Sequence, residues 1–391
     1  MRHPRDIQRP GRKLATRVLH SASSVDRSTG ASSIPLYQAS TYHHFSLEHP
    51  PQYDYARSGN PTRQALEDTI AELEGGVRGF AFASGMAAVS TAFMLLSQGD
   101  HILCSEDVYG GTYRLLTTIL NRMGITTTFV DMTDLDRLEA ARRPNTRAVF
   151  VETPSNPNLK ITDIAAVAEW AKKHGLLSIL DNTFMTPCLQ RPIELGIDIV
   201  LHSATKFLCG HSDVIAGLAV VANEKLGQQL KHLQNAVGGV LGVQDSWLLM
   251  RGMKTLSARM ECSERSARQL ADWLTRHPAV TRVYYPGLPD HPGRAIHERQ
   301  SQGHGAMVSF DVGTGARARQ VLERVTLPLV AVSLGAVESI LSYPAMMSHA
   351  AMPREVRLER GIGDGLLRYS VGLEAVEDLI ADLEQALDEA R

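Results

Sequence analysis

Short apolar runs alternate with amphipathic stretches through the first two thirds of the chain. Gly79–Ala83, His101–Cys104, Ile125–Val130, Ala148–Val151, Leu177–Leu180 and Ile197–Leu201 are brief and bounded by turn residues. Runs of that kind predict buried strands rather than helices. Most have helical segments between them. Ala65, Leu66, Ile70 and Leu73 form a helical stripe that opens after Asn60-Pro61-Thr62 and stops at Gly75-Gly76, using both start and stop signals. Ser84-Gly85-Met86 opens a further helix over Ala87–Leu96. The alternation predicts an α/β fold with a mostly parallel sheet covered on both faces. A long amphipathic segment, Asp245–Arg276, leads into a smaller α+β region ending in a helix over Glu374–Ala390. Residues 1–60, rich in Ser, Pro, Tyr and Arg without periodicity, predict an extended arm lying on a neighbouring subunit. The expected division is an arm (1–60), a large ligand-binding domain (61–255) and a C-terminal α+β domain (256–391).

Composition narrows the classes. With 391 residues, 43% hydrophobic, 21% charged and a net charge of -2, the chain has the make-up of a soluble globular protein and lacks the basic excess that nucleic acid demands. The apolar stretches break before they could span a bilayer, and Met1–Lys13 is basic without an apolar core. A cytoplasmic protein with no membrane partner is expected. Cys104, Cys188, Cys209 and Cys262 form no Cys-x-x-Cys pair, which suits reduced thiols. His43-His44 and His202 with His211 match no metal-ligand spacing, so no metal site is expected.

The chemistry centres on a lysine. Ile197–Leu201 delivers His202-Ser203-Ala204-Thr205-Lys206-Phe207, placing an ammonium among small hydroxylated residues at a strand end, where parallel sheets present ligands. A surface lysine is one reading. The other is an amine that loses its proton in a partly desolvated, cation-rich site and forms a Schiff base with a carbonyl cofactor, with pyridoxal phosphate the first suspect. Gly85 and Met86 begin a helix whose first N–H groups suit a phosphate. Ser203 and Thr205 either donate to that phosphate or satisfy local backbone. Asp181, at the end of another strand, either caps a turn or holds a pyridine nitrogen protonated.

Further candidates follow the same strand-end logic. Tyr109, before Gly110-Gly111-Thr112, offers an aromatic face beside glycines that let backbone approach a flat ring. Glu152-Thr153-Pro154-Ser155-Asn156-Pro157-Asn158 is rigid turn chemistry that aims Asn156 outward. Arg368, within Arg368-Tyr369-Ser370-Val371-Gly372, either clamps a carboxylate or makes a surface ion pair. Ser333 and Glu338 are second-tier candidates.

These segments, with Tyr55-Ala56-Arg57-Ser58-Gly59-Asn60-Pro61-Thr62 and Ser333-Leu334-Gly335, stand in an order that resembles the Cys/Met metabolism family of pyridoxal-phosphate enzymes over nearly the whole chain. The resemblance implies the fold type I architecture of pyridoxal-phosphate-dependent transferases, with a mostly parallel seven-stranded sheet and a smaller C-terminal α+β domain. It implies that Lys206 links the cofactor, Asp181 meets the pyridine nitrogen, Tyr109 stacks on the ring and Asn156 meets its phenolic oxygen. Gly85, Met86, Ser203 and Thr205 would form the phosphate cup, completed by Tyr55 and Arg57 from a neighbouring subunit of a homotetramer. Asn156, Ser333 and Arg368 would hold the substrate carboxylate, and Glu338 its distal amino group. The implied reaction starts with proton removal by Lys206 and ends with departure of sulfur, protonated by Lys206 or Tyr109. Ser333–Pro353 and Phe129–Asp134 look most like members that cleave cystathionine by α,β-elimination. Cleavage at the γ-carbon, γ-replacement (including sulfhydrylation of O-acetylhomoserine) and a non-catalytic cofactor-binding protein are the alternatives. Methionine γ-cleaving members usually carry cysteine where Gly111 stands, so the chain departs from them.

Overall fold

The computed structural model describes residues 11–21 and 25–388. Residues 1–10, 22–24 and 389–391 lie outside the described residues, and with them the start of the expected arm and the end of the expected last helix. The chain forms two compact units, each drawn from separated segments: the chain up to Leu95 with Asp198–Ser257, and Leu96–Ile197 with the chain from Ala258 onward.

The strands of the larger sheet are β1 (Arg78–Phe82), β2 (His101–Ser105), β3 (Thr126–Val130), β4 (Thr146–Glu152), β5 (Leu177–Asp181), β6 (Ile199–Ser203) and β7 (Gly217–Val221). Their order is β1-β7-β6-β5-β4-β2-β3. The pairs β2 with β3, β2 with β4 and β4 with β5 are parallel. By contrast, β7 runs antiparallel to both β1 and β6. Six strands lie within about two residues of the apolar runs that predict them. The seventh, Gly-Leu-Ala-Val-Val, is buried on both faces and has no period of two, and Gly and Ala weaken its strand signal.

In the first unit, Asn60 caps the helix Pro61–Glu74 by accepting from Thr62 N at 2.9 Å and Arg63 N at 3.2 Å. Such a cap contributes about 1 kcal/mol. Gly75, at φ 77°, ends the helix in the left-handed conformation, which favours glycine. β1 lies hard against this helix: a Cβ on Gly79 would sit 2.1 Å from Glu67 O. The arm is not extended throughout. Tyr42 N donates to Asp54 O at 3.0 Å and Ala56 N to Ser40 O at 2.9 Å, so residues 40–56 fold back on themselves. The tip of that loop leaves Phe45 94% and Leu47 91% exposed.

In the second unit a five-stranded sheet has the order β10-β11-β12-β9-β8, formed by β8 (Arg282–Tyr284), β9 (Met307–Asp311), β10 (Leu329–Val330), β11 (Ile340–Ser342) and β12 (Leu366–Ser370). Its pairs are antiparallel except β10 with β11. Leu270, Leu274, Phe310, Tyr369 and Leu383 pack one core with the helices Gly315–Arg324 and Val376–Leu387. The segment expected as one long amphipathic stretch is two helices, Val243–Met253 and Leu256–Leu274. Bonds to the third residue back, from Lys254 N to Arg251 O at 3.3 Å and from Thr255 N to Gly252 O at 3.2 Å, close the first of them, a 3-10 ending that interrupts the α-helical ladder. Among the described residues, no helix is long and apolar enough to cross a membrane.

Candidate active site

The first unit carries the candidate lysine. Lys206, half-buried, follows β6 in a turn where Lys206 N donates to Ser203 O at 3.1 Å and Gly210 N to Lys206 O at 2.8 Å. Ser84 caps the helix Gly85–Phe93 through Ala87 N at 3.1 Å, which leaves the amides of Gly85 and Met86 in the first turn, free of intrahelical acceptors. Backbone crowding explains both glycines here. A Cβ on Gly85 would stand 3.0 Å from Ser203 Cα, Cβ and Oγ, and one on Gly217 would meet Ser84 O at 2.1 Å. The helix start, Ser203 and β7 therefore approach as closely as backbone allows. Thr205 is engaged locally: its Oγ1 accepts from Ala216 N at 2.9 Å and donates to Ala216 O at 3.3 Å. The long second bond is the weaker one, so the hydroxyl proton is the part that can turn to an incoming anion. On the other face of β6, His202 Nε2 meets Glu74 Oε1 at 2.6 Å in full burial.

Tyr55 and Arg57 sit on the folded-back arm of the same unit. Both are exposed; the guanidinium lies 5.4 Å from the Tyr55 ring centroid, and Arg57 Nε donates to Asn235 Oδ1 at 3.3 Å.

The second unit holds the carboxylate and aromatic candidates. Asp181, the last residue of β5, accepts at Oδ1 from Thr183 N at 3.0 Å and Thr183 Oγ1 at 2.5 Å. Its carboxylate is thus both turn cap and ligand candidate. Tyr109 precedes the helix Gly110–Arg114 and is 41% exposed. A Cβ on Gly110 would fall 1.9 Å from Ser348 O, and one on Gly111 only 2.3 Å from Tyr109 Cε1. Glycine at 111 is therefore what lets the ring lie back on its own helix.

Arg368, in the middle of β12, is 3% exposed and donates from Nη1 to Asn156 Oδ1 and from Nη2 to Ser333 O, each at 2.8 Å. Among the described residues no carboxylate stands within ion-pair distance of it. Burial pulls its pKa down to about 10, against the opposing pull of Glu152 and Tyr109. A buried guanidinium held by two neutral acceptors is a site prepared for an anion. Ser333 adopts φ +96°, a left-handed conformation rare for a residue with a side chain, and that turn aims its carbonyl at Arg368. Glu338 is exposed before β11, with Ser339 N held by Glu374 Oε1 at 2.7 Å beside it.

Three further groups in the second unit escape sequence reasoning because only folding brings their surroundings together. Glu152, 6% exposed, accepts from Tyr109 N at 2.9 Å. His349 is fully buried, with Ser348 Oγ 2.9 Å from Nδ1; burial, then the Arg368 charge, lowers its pKa to about 4 and keeps it neutral. Asp107 accepts from Ser155 Oγ and so ties the Tyr109 loop to the Asn156 loop. Burial, opposed by Lys160 and the Ser155 bond, raises the Asp107 pKa to about 6. An acid whose pKa is raised on folding stabilises the fold fully below about pH 4 and loses that contribution as pH climbs through about 6. Asp107→Asn should therefore flatten the fall of the unfolding free energy between those pH values, by an amount on the order of 1–3 kcal/mol. An unchanged slope in calorimetry across that window would assign the titration elsewhere.

Pyridoxal phosphate fits these residues. The first unit offers a helix start at a glycine, two hydroxyls and a lysine following one strand end, which is the donor set a phosphate and an aldehyde require. The second offers a strand-end carboxylate and an exposed tyrosine, which suit a protonated pyridine ring. The comparisons agree. The profile of the Cys/Met metabolism PLP-dependent enzyme family matches residues 15–388. The chain is 61% identical to a cystathionine beta-lyase, MetC, of Bacillus subtilis (strain 168), over 96% of either chain. It is 53% identical to a cystathionine gamma-lyase of the same organism, over 96% of this chain and 99% of that protein. The crystal structure of cystathionine gamma-lyase from Lactobacillus plantarum complexed with L-serine superposes with a TM-score of 0.94 at 51% identity, over 96% of this chain and 98% of that one. Fold, donor set and similarity converge: the chain belongs to the Cys/Met metabolism family of pyridoxal-phosphate-dependent enzymes.

Proposed function

We propose that this enzyme is a carbon–sulfur lyase that cleaves L-cystathionine at the β-carbon, yielding homocysteine, pyruvate and ammonia. The observation that carries an amino-acid substrate is Arg368, buried without a carboxylate partner among the described residues and already oriented by Asn156 and Ser333. The β-carbon is supported by the 61% identity to a protein named for that cleavage. When bound, pyridoxal phosphate supplies an electron sink for negative charge at the substrate α-carbon. Lys206 would hold the cofactor, and its amine would take the substrate α-proton. Asp181 would keep the pyridine nitrogen protonated, Asn156 would meet the phenolic oxygen and Tyr109 would stack on the ring. Gly85 and Met86 amides with Ser203 and Thr205 hydroxyls would hold the phosphate. Tyr55 and Arg57, exposed in one chain, complete that cup from a neighbouring subunit; the assembly we propose is a homotetramer of two active dimers, in the cytoplasm. Arg368, Asn156 and Ser333 hold the substrate carboxylate, Glu338 its distal ammonium, and Lys206 or Tyr109 protonates the departing sulfur.

In chain order we retain the three-part division proposed for these roles: an arm (1–60), a cofactor-binding domain (61–255) and a C-terminal domain (256–391). Cleavage at the γ-carbon is the second reading, favoured by the 53% identity to a cystathionine gamma-lyase. The released thiol separates the two. Homocysteine from cystathionine supports β-cleavage; cysteine in its place supports γ-cleavage.

A further inference from the structure

The backbone of Tyr109 is held by a buried acid. Glu152 ends β4, and Oε2 accepts from Tyr109 N at 2.9 Å. Its own backbone is fixed by Ser105 Oγ, 3.2 Å from Glu152 N, and by register with Asp181 on β5. The tyrosine turn is thus hung between the ends of β2 and β4. On its other side Gly110 rests on Ser348 O, so the turn has little room to move.

We propose that Glu152 is a positioning residue of the reaction, acting as an uncharged hydrogen-bond acceptor that sets the place of Tyr109 and leaves Arg368 without an internal counter-ion. The inference rests on the roles given above to Tyr109 and Arg368. The groups that face Glu152 are Asp181 on β5, Asp107 and Tyr109 in the loop after β2, Cys104 on β2 and Arg368 on β12. Burial first, then the Asp181 charge, push its pKa well above the usual carboxylate range, with the Tyr109 N–H and, less strongly, the Arg368 charge pulling the other way. An ionised Glu152 would compete with the substrate carboxylate for Arg368; the protonated acid keeps a carbonyl oxygen for Tyr109 N–H and makes no such claim.

The experiment uses the purified holoenzyme with cystathionine and measures kcat and KM for E152Q, E152A, Y109F and the double variant E152A/Y109F. Gln keeps a neutral acceptor at the same reach, so E152Q should hold both constants within about threefold of wild type. E152A leaves the Tyr109 N–H without its acceptor and should lower kcat by about tenfold or more. In the Y109F background, E152A should add much less than it does alone, since residues that act through one another are not additive. A loss in E152Q equal to that in E152A would overturn the uncharged role. Full additivity in the double variant, with Y109F itself impaired, would overturn positioning through the tyrosine. Y109F at wild-type turnover would instead remove Tyr109 from proton donation, a failure of the underlying reading rather than of the brace. Should E152A not fold, E152Q decides the charge, and Ser105→Ala, which frees the backbone of Glu152 while leaving its carboxyl, takes the place of E152A in the cycle.

Discussion

Lys206→Ala is expected to lower turnover of cystathionine by at least about a thousandfold. The lysine is asked to do two things: join the cofactor and move the α-proton. Proton transfer by a placed side chain is worth about a hundredfold to ten-thousandfold, or roughly 3–5 kcal/mol of barrier, before the loss of covalent attachment is counted. The local structure has no stand-in at that strand end, where the neighbours Ser203, Ala204, Thr205 and Phe207 carry no basic group. Lys206→Arg separates charge from proton transfer. Arginine keeps the positive charge but stays protonated at working pH, so it should be as inactive as alanine; activity within tenfold of wild type in Lys206→Arg would make the lysine an electrostatic group. The visible absorption of the linked cofactor should vanish in both variants.

Arg368→Ala is expected to raise KM for cystathionine by about a hundredfold to a thousandfold, with the smaller share of the loss in kcat. A hydrogen bond to a charged group contributes about 1.5–3 kcal/mol, and a guanidinium can give a carboxylate two in parallel. Burial makes the interaction stronger than at a surface, because water competes less. Arg368→Lys keeps a charge but loses the fork, so it should fall between alanine and wild type. The decisive control is a cystathionine analogue lacking the α-carboxylate, tested as an inhibitor. Wild type should bind it about as weakly as Arg368→Ala binds the intact compound, and Arg368→Ala should not distinguish the two. Discrimination that survives in Arg368→Ala would place the carboxylate elsewhere. The thermal midpoint must be followed alongside, since removing the arginine also strips Asn156 Oδ1 and Ser333 O of their donors.

What could be read from the chain was local. Lys206, Asp181 and Asn156 stand where a buried apolar run ends, and a strand end is visible as a change from apolar to polar residues within a few positions. The helix over Pro61–Glu74 announced both of its ends, by Asn60 and Gly75. β7 was hidden because a strand buried on both faces shows no alternation, and because its partner β6 precedes it directly rather than through a helix. The folded-back loop of the arm was hidden for a related reason: residues 40–56 pair through isolated backbone bonds that leave no apolar pattern. Glu152 was part of a recognised motif, yet nothing in its neighbours tells that its carboxyl reaches a backbone N–H 43 residues earlier. His349 is the clearest case. It reads as one polar residue in a Met-rich turn, and only packing shows a neutral imidazole lodged near Arg368 and the backbones of Val108 and Asn156.

The central claim is β-cleavage of a carbon–sulfur bond, and the keto acid formed from L-cystathionine tests it most directly. Early samples from the purified enzyme, derivatised and separated by chromatography, should contain pyruvate in step with homocysteine. 2-Oxobutyrate as the main keto acid, appearing with cysteine, would contradict the account.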